Sequence, residues 1–359
     1  MISLTTRLGL IFCTALLGWI APQPQLSAQE LPEPGEYAPR FPNDAPPPPN
    51  TPLPPERRLN DNLAPEKDFR VTALQRDYQQ ALWVGSWLGL TRIDPNTGKI
   101  LARVALPNYT IGAIAEDKVG RIWVGTYEGI VRVDPRSNEV TAQNFALPSN
   151  RILSLAIDRR GYLWVGTDRG LSLISPDEGL LMTTVQALPG ISANALTLDK
   201  DGQLWVGTLQ GLARIDTASA YPIGRISEVP GGVVQTLTVA PDGQLWVGTP
   251  NSLLVIDPDT REILRSVTPM RGLNVTSVRF AEDKTVWVGT TNGLWQLRAE
   301  TGAVLGEVPN LPSSEILSLS PDTGNKLWVG TKEGLAWVSL TSGRVRPHFA
   351  FTRSGPTDF

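Results

Sequence analysis

The chain has 359 residues, of which 32 are lysine or arginine and 35 are aspartate or glutamate, so its formal net charge is −3 at pH 7. This balance, without a lysine–arginine run or a basic stripe, argues against binding of nucleic acid. The single cysteine, Cys13, lies in the first apolar segment. The rest of the chain therefore has no thiolate for a disulfide, a metal site or nucleophilic catalysis.

The N-terminus has the organisation of a secretory signal peptide. Arg7 precedes an apolar run of 14 residues from Leu8 to Ala21, and the small residue Ala28 follows. The pattern predicts a signal peptide over residues 1–28 with cleavage after Ala28. The alternative is an uncleaved membrane anchor, but the run is shorter than the roughly 20 residues that span a bilayer. We expect an exported protein, periplasmic or extracellular, whose mature chain has no membrane span.

A proline-rich segment follows. Eleven prolines lie between Leu31 and Pro55. Because proline fixes φ and lacks a backbone donor, residues 29–57 are predicted to be a linker that is disordered or extended as polyproline II. We assign residues 58–359 to a single folded domain.

That domain consists of seven copies of one motif, of which the third reads "LWVGTDRGLSLISPDEGLL". The copies are 40 or 41 residues apart, counted between their anchoring tryptophans, Trp83, Trp123, Trp164, Trp205, Trp246, Trp287 and Trp328. So regular a period is typical of a repeat architecture.

Each copy predicts four short strands. In the third copy the apolar runs are Ile152–Ile157, Tyr162–Thr167, Leu171–Ile174 and Leu180–Val185, separated by turn residues. These strands are apolar on both faces, so each sheet needs a neighbouring sheet on either side. Seven antiparallel sheets around an axis meet that need, and the prediction is an all-β fold, a seven-bladed β-propeller of four-stranded blades.

The repeated residues are predicted to have packing roles. A small residue stands ten positions before each anchoring tryptophan, where the innermost strands converge: Ala73, Ala113, Ser154, Ala195, Thr236, Ser277 and Ser318. The tryptophans themselves recur identically, which favours a role in the core over a role as stacking platforms. The glycine two residues after each of them is expected to allow close approach of the next sheet.

The motif "LWVGT", two variable residues, "GL" and a hydrophobic-Asp-Pro turn resemble the periplasmic two-component-regulator propeller repeat over Val71 to about Phe351. In that family the propeller is a sensor module, often fused to a membrane-spanning histidine kinase and frequently responding to carbohydrates. After the seventh copy this sequence continues only with "TRSGPTDF". The resemblance therefore implies a stand-alone exported propeller without the kinase. Ser252 departs from the pattern by replacing the motif glycine in the fifth copy.

Variable residues are expected to form the binding face. In a propeller the turn between the second and third strands shares one face with the connections between blades, and differences between repeats concentrate there. The turns supply Trp87, Tyr127, Glu128, Asp168, Arg169, Asn292, Lys332 and Glu333. The connections supply Tyr109, Arg151, Asn194, Gln235 and Arg271. This mixture of aromatic, amide and charged groups suits a glycan-like ligand and a protein partner equally.

Catalysis has little support. The chain has one histidine, His348, and we predict no catalytic residue, no metal site and no cofactor. The turns Asp199–Gln203 and Ala240–Gln244 resemble calcium loops but lack the closing glutamate of an EF-hand, so hairpin turns account for them better. We predict a noncatalytic binding platform for a protein partner or a polysaccharide at the cell envelope, accessory to sensing.

Two alternatives stay open. One is a carbohydrate-active or lyase-type enzyme that uses carboxylates on the variable face. The other is a scaffold in an envelope assembly, tethered by an uncleaved N-terminus. How the ring closes is also open, because residues 57–69 could pack beside the last blade or replace its outer strand.

Overall fold

The structure is a computed structural model that describes residues 68–106, 110–144 and 146–352. The predicted signal peptide, the predicted proline-rich linker and Tyr109 lie outside the described residues. Of the described chain, 28 segments are strands and two are 3-10 helices of three residues each. None of the helices in these ranges is long and apolar enough to cross a membrane.

The strands follow one another in seven groups of four. Blade 1 contains β1 (Val71–Arg76), β2 (Leu82–Ser86), β3 (Gly89–Ile93) and β4 (Ile100–Val104). Blade 2 contains β5 (Ile111–Glu116), β6 (Ile122–Thr126), β7 (Ile130–Asp134) and β8 (Glu139–Asn144). Blade 3 contains β9 (Ile152–Ile157), β10 (Leu163–Thr167), β11 (Gly170–Ile174) and β12 (Leu181–Val185). Blade 4 contains β13 (Ala195–Leu198), β14 (Leu204–Thr208), β15 (Gly211–Ile215) and β16 (Pro222–Ile226).

The remaining three blades repeat this order. Blade 5 contains β17 (Thr236–Val239), β18 (Leu245–Gly248), β19 (Leu253–Ile256) and β20 (Ile263–Ser266). Blade 6 contains β21 (Val275–Phe280), β22 (Thr285–Thr290), β23 (Gly293–Arg298) and β24 (Val304–Glu307). Blade 7 contains β25 (Ile316–Ser320), β26 (Lys326–Thr331), β27 (Gly334–Ser339) and β28 (Val345–Pro347). The two 3-10 helices are Thr268–Met270 and Phe349–Phe351.

Every group is an antiparallel meander in sequence order, and no strand crosses into another sheet. The register repeats as well: the glycine of each motif pairs with the small residue that precedes the tryptophan by ten, as in Ser154 with Gly166. The four strands predicted for the third copy agree with the observed ones to within one residue. The all-β seven-bladed propeller is confirmed.

The anchoring tryptophans form the cores between blades. Each lies in a cluster with the inner strands of the next blade, as Trp83 does with Ile111 and Val124 of blade 2. Trp287 is 4% exposed and the other six are at most 1% exposed. An aromatic side chain that buries 150–250 Å² gains about 4–6 kcal/mol of transfer free energy. The role predicted for the tryptophans is confirmed.

The motif glycines set the distance between blades. A Cβ built on Gly125 would lie 2.4 Å from Cγ2 of Ile152, which opens the next blade. The equivalent Cβ on Gly207 would lie 2.4 Å from Cγ1 of Val234. Real Cβ atoms do not approach other atoms so closely, so these positions need glycine, as the sequence predicts.

Side-chain hydrogen bonds between inner strands supplement this packing. Ser154 Oγ donates to Ala193 O at 2.9 Å, and Thr276 Oγ1 donates to Ile316 O at 2.6 Å, in each case from one blade to the next. Ser318 Oγ donates in the same way to Val71 O at 3.0 Å, from blade 7 to blade 1. The inner strands are therefore linked by the same type of contact at the closure as elsewhere.

The ring closes without exchange of a strand. The outer strand of blade 7 is its own β28, which follows β27 in sequence. Lys326 Nζ donates to Pro95 O at 2.7 Å and to Asn96 O at 2.6 Å, and His348 Nε2 lies 2.8 Å from Gly98 O. Blade 7 thus holds the β3–β4 turn of blade 1 through side chains.

A buried carboxylate completes the core in the first four blades. Six residues before the tryptophan, Asp77, Asp117, Asp158 and Asp199 each accept a hydrogen bond from the indole Nε1, at 3.0–3.2 Å. Each also pairs with an arginine, at 2.6–2.8 Å: Arg92, Arg121, Arg160 and Arg214 respectively. These four carboxylates are at most 3% exposed. A charge that leaves water needs such partners.

The last three blades lack this arrangement. Ala240 and Ala281 occupy the position of the aspartate in blades 5 and 6. In blade 7 the turn takes a different path, and Trp328 Nε1 donates to the backbone oxygen of Thr323 at 3.2 Å. Trp287 Nε1 has no hydrogen-bond partner among the described residues.

Candidate functional site

The variable residues are brought to one face of the propeller. Each inner strand runs from this face to the opposite one, and the second strand returns. The turns between second and third strands and the connections between blades therefore lie together, and we call this side the variable face. The geometry agrees with the prediction, while the role of the residues on it stays a prediction.

Trp87 stands on the β2–β3 turn and packs against a residue that the sequence analysis did not single out. Its ring meets Phe69 edge to face, with centroids 5.7 Å apart and planes at 67°. Trp87 nevertheless remains 37% exposed. Aromatic pairs in this geometry are stabilised beyond their burial and hold the indole in place.

Tyr127 and Arg151 form the second contact on this face. The guanidinium carbon of Arg151 lies 4.8 Å from the centroid of the Tyr127 ring, which is cation–π geometry. Tyr127 N donates to Thr110 O at 3.0 Å, which fixes the turn against the connection before blade 2. The ring lies beside Gly112, whose Cβ would come within 3.6 Å of it. Tyr127 is 38% exposed.

Arg70 connects these groups to blade 7. Asp68 accepts hydrogen bonds from its Nε, and this contact raises the pKa of Arg70 and lowers that of Asp68. Tyr127 and Glu315 also act electrostatically on Arg70. Glu315 in turn pairs with Lys332 of blade 7 at 2.9 Å. We call these residues of blades 7, 1, 2 and 3 and of the segment before blade 1 the aromatic sector: Phe69, Arg70, Trp87, Tyr127, Arg151, Glu315 and Lys332.

The other predicted residues of the face lie outside these contacts. Glu128, Arg169, Arg271 and Asn292 are exposed, and Glu333 and Asp168 are half-buried. Asp168 Oδ1 is buried without a hydrogen-bond partner among the described residues. Arg271, in the connection between blades 5 and 6, and Asn292, in the β22–β23 turn of blade 6, lie outside the aromatic sector.

Asn194 and Gln235, in the connections before blades 4 and 5, also line the central channel. This channel has a volume of about 230 Å³ and is bounded by the inner strands, including all seven small residues predicted there. Asn194 Nδ2 donates to Val234 O at 3.1 Å, so its amide joins blade 4 to blade 5. Gln235 Oε1 has no partner among the described residues.

One charged residue, Arg279 of blade 6, is present among the described residues that line the channel. Arg279 is not among the predicted site residues. The sequence does mark it as an exception, because the equivalent position, eight residues before the tryptophan, is uncharged in the other blades: Gln75, Ala115, Ala156, Thr197, Thr238 and Ser320.

His348 lies away from both places. It is 5% exposed between blades 7 and 1, where its Nε2 contacts Gly98 O and its ring stacks on Phe349. Burial lowers its pKa. Since a carbonyl accepts, Nε2 carries the proton and donates, and the buried Nδ1 has no partner among the described residues.

The acidic turns have structural partners. Asp199 accepts from the backbone N of Asp201 and Gln203, at 3.0 and 2.9 Å. The turn Ala240–Gln244 is closed by Gly243 N to Ala240 O at 2.9 Å. In the described ranges, no group of three or more histidine, cysteine, aspartate or glutamate side chains is placed to hold a metal ion.

Comparison with known families identifies the repeat. The family described as "Two component regulator propeller" matches residues 105–128, 146–169, 187–210 and 228–251. Each match covers a connection, the first two strands of a blade and the turn after them, in blades 2 to 5. No curated protein sequence matches the chain.

Two similar solved structures are extracellular domains from B. thetaiotaomicron. That of the proposed hybrid two component system BT3049 is 21% identical with a TM-score of 0.64, over 75% of this chain and 40% of that one. That of BT4673 is also 21% identical with a TM-score of 0.64, over 77% of this chain and 41% of that one. This chain therefore spans about 40% of the length of either.

A third similar structure is a lyase. It is a catalytically inactive histidine-to-alanine variant of virginiamycin B lyase from Staphylococcus aureus with quinupristin. It is 18% identical with a TM-score of 0.63, over 75% of this chain and 94% of that one. At these identities the three structures bear on the fold alone. They agree with the propeller fold, and the four matched segments show that blades 2 to 5 carry two-component-regulator propeller repeats.

Proposed function

We propose that this chain is an exported sensor-type binding module that recognises its ligand through the aromatic sector of the variable face. The observation that carries the proposal is that Trp87 and Tyr127, in equivalent turns of neighbouring blades 1 and 2, are each packed against another side chain. Two half-exposed aromatic rings are held in fixed orientations there by Phe69 and Arg151. Rings that are rigid before binding lose little conformational entropy when a ligand packs on them.

The ligand is a protein partner or a polysaccharide of the cell envelope. Exposed aromatic faces beside arginine side chains suit the apolar face of a sugar ring, and they are equally typical of the central residues of protein interfaces. The two propellers described as extracellular domains of hybrid two component systems support a role in sensing. Export rests on the predicted signal peptide over residues 1–28.

The test compares the sector with another part of the same face. The variant Trp87→Ala/Tyr127→Ala/Arg151→Ala removes the two rings and Arg151. Its matched control, Arg271→Ala/Asn292→Ala, removes exposed side chains from blade 6 and the connection before it. All three proteins are used to capture cross-linked partners from envelope extract and are applied to an array of envelope polysaccharides.

The expected result is a ligand that the wild type and the control retain equally and that the triple variant loses by at least tenfold. A ligand lost equally by both variants, or by neither, would contradict the assignment to the aromatic sector. Loss on the polysaccharide array alone would identify a glycan, and loss in the capture alone a protein. Export is checked separately by N-terminal sequencing of the secreted protein, which is expected to begin at Gln29.

An enzymatic function of the lyase type has less support. The similar lyase structure is inactive with alanine in place of a histidine. The one histidine of this chain, His348, is buried between blades 7 and 1 and donates to a backbone carbonyl. It does not line the central channel.

A further inference from the structure

The central channel has an electrostatic feature that neither the fold nor the aromatic sector requires. Arg279 is the fifth residue of β21 and pairs in register with Trp287. Its side chain projects into the channel of about 230 Å³ and is exposed to the water inside. Since each water takes about 30 Å³, the space has room for a small organic molecule.

The guanidinium has no counter-charge. Its only hydrogen bond within the described chain runs from Nη1 to the backbone oxygen of Val278, at 2.9 Å. No described carboxylate forms an ion pair with it or acts on its pKa, which burial alone lowers. By contrast, the half-buried arginines of blades 1 and 4, Arg92 and Arg214, each pair with a buried aspartate. An exposed guanidinium that lines the channel without a counter-charge is available to form charge-assisted hydrogen bonds with an anion.

The fold does not need arginine at this position. The six equivalent residues in the other blades are alanine, serine, threonine or glutamine, and they allow the same register. Gln75 is the equivalent residue of blade 1, two blades away, and it also lines the channel. Its Nε2 donates to Arg76 O at 2.8 Å, which places a side-chain amide at the level of the guanidinium.

We propose that the channel around Arg279 and Gln75 is a binding site for a small oxyanion, the carboxylate or phosphate group of a small molecule. A guanidinium binds such groups through two parallel hydrogen bonds. Arg279 lies near the end of β21 that is remote from the variable face. The anion enters from the face opposite the aromatic sector, and the site does not depend on the function proposed for that sector.

The experiment uses the full purified chain and three probes: sodium glucuronate, inorganic phosphate and neutral glucose. Binding is measured by calorimetry at constant ionic strength, and Tm is measured against probe concentration. A ligand that binds only the native state raises Tm as its concentration increases. At least one anionic probe is expected to bind, and glucose is expected not to.

Arg279→Gln is expected to weaken the binding of the anion by roughly tenfold or more, because a charge-assisted hydrogen bond is lost. Arg279→Lys keeps the charge without the planar fork, so its affinity is expected to lie between. Arg346→Gln, which changes an exposed arginine outside the channel, is the matched control and is expected to bind as the wild type does. Arg151→Gln tests the aromatic sector as an alternative site for the anion. Because Arg279 has no structural ion pair, its substitution leaves the fold intact.

The binding of the two anionic probes identifies the chemical class of the anion. Binding of glucuronate alone indicates an organic acid, and binding of phosphate alone indicates a phosphate ester. Equal binding by Arg279→Gln and the wild type, equal binding of glucose and glucuronate, or no binding of either anion would overturn the proposal. Loss of binding in Arg151→Gln would instead move the anion to the aromatic sector.

Discussion

Blades 1 to 4 and blades 5 to 7 share one backbone plan but stabilise the buried tryptophan differently. In the first group the indole donates to a buried aspartate, which an arginine neutralises. In blade 5 the corresponding residues are Ala240 and Val255, both buried and apolar. A hydrogen-bonded ion pair and a pair of apolar side chains therefore serve the same position in one molecule.

The difference shows that a blade can form without the buried carboxylate, as blade 5 does. The arginine that pairs with the carboxylate, in contrast, needs it as its counter-charge. A buried ion pair contributes little relative to well-packed apolar residues, because desolvation offsets most of its attraction. Removal of only one partner is costly, since it leaves a charge without compensation.

Asp199→Ala is expected to destabilise the protein by about 3–5 kcal/mol, the usual cost of breaking a buried ion pair. The substitution removes the acceptor for Trp205 Nε1, for Arg214 and for two backbone NH groups. Asp242→Ala in blade 5, where the aspartate is exposed, is the control and is expected to cost about 1 kcal/mol or less. Urea unfolding measures both. Equal losses would contradict the distinction between the two groups of blades.

Asp199→Ala/Arg214→Val gives blade 4 the residues of blade 5. Since neither charge then remains, the double variant is expected to recover roughly half or more of the stability lost by Asp199→Ala alone. A double-mutant cycle with Arg214→Val supplies the coupling energy. Additive losses would mean that the apolar arrangement of blade 5 is not transferable.

Trp205→Phe and Trp287→Phe compare a bonded indole with an unbonded one. Both remove similar volume from a core, but only Trp205 donates to a carboxylate, whereas Trp287 Nε1 has no partner among the described residues. Trp205→Phe is expected to cost about 1.5–3 kcal/mol more, the value of a hydrogen bond to a charged group. Chemical denaturation of the two variants under identical conditions checks the difference.

The smallest effect is expected at His348, which faces Trp328 in blade 7 with ring centroids 6.2 Å apart. Burial lowers the pKa of this imidazole from its ordinary value near 6.5. As the pH falls through 6.5 the unfolded chain binds a proton before the folded chain does, so stability declines below that pH. His348→Gln keeps a donor for Gly98 O but does not titrate.

The fall in Tm between pH 7.5 and pH 5.5 should therefore be smaller in His348→Gln than in the wild type. Carboxylates titrate equally in both proteins over this range, so the difference between the two profiles reports on the imidazole. Identical pH profiles would show that protonation of His348 has no linkage to folding.

The fold was predictable because its determinants repeat. Seven tryptophans, seven glycines and seven small residues each perform one local task, and a period of about 41 residues reveals them without knowledge of long-range contacts. The Asp–Trp–Arg arrangement was missed, although its signal is in the sequence. Asp199 belongs to a predicted hairpin turn, which accounts for an aspartate there, whereas the constant spacing of six residues between the aspartate and the tryptophan is the signal for the arrangement.

The site was less predictable because it depends on contacts between blades. Tyr127 and Arg151 are 24 residues apart and belong to different blades, so only the ring brings the cation over the aromatic face. Asn194 and Gln235 were predicted for the variable face, and the structure adds that they line the channel, since each directly precedes an inner strand. Arg279 was not predicted, because the prediction of the inner strands relied on residues that recur in every copy. Arginine occurs at this position in blade 6 only.

The closure of the ring has a consequence for how such a protein can change. Every blade, including the seventh, is one uninterrupted stretch of chain, and the contact of Ser318 with Val71 has the same form as that of Ser154 with Ala193. If a complete repeat is gained or lost, each remaining blade can therefore still pack against a neighbouring blade on either side. A circular permutant opened in the connection at residues 227–235 would cut no strand. The stability of the fold therefore does not require the chain ends to lie between blades 7 and 1.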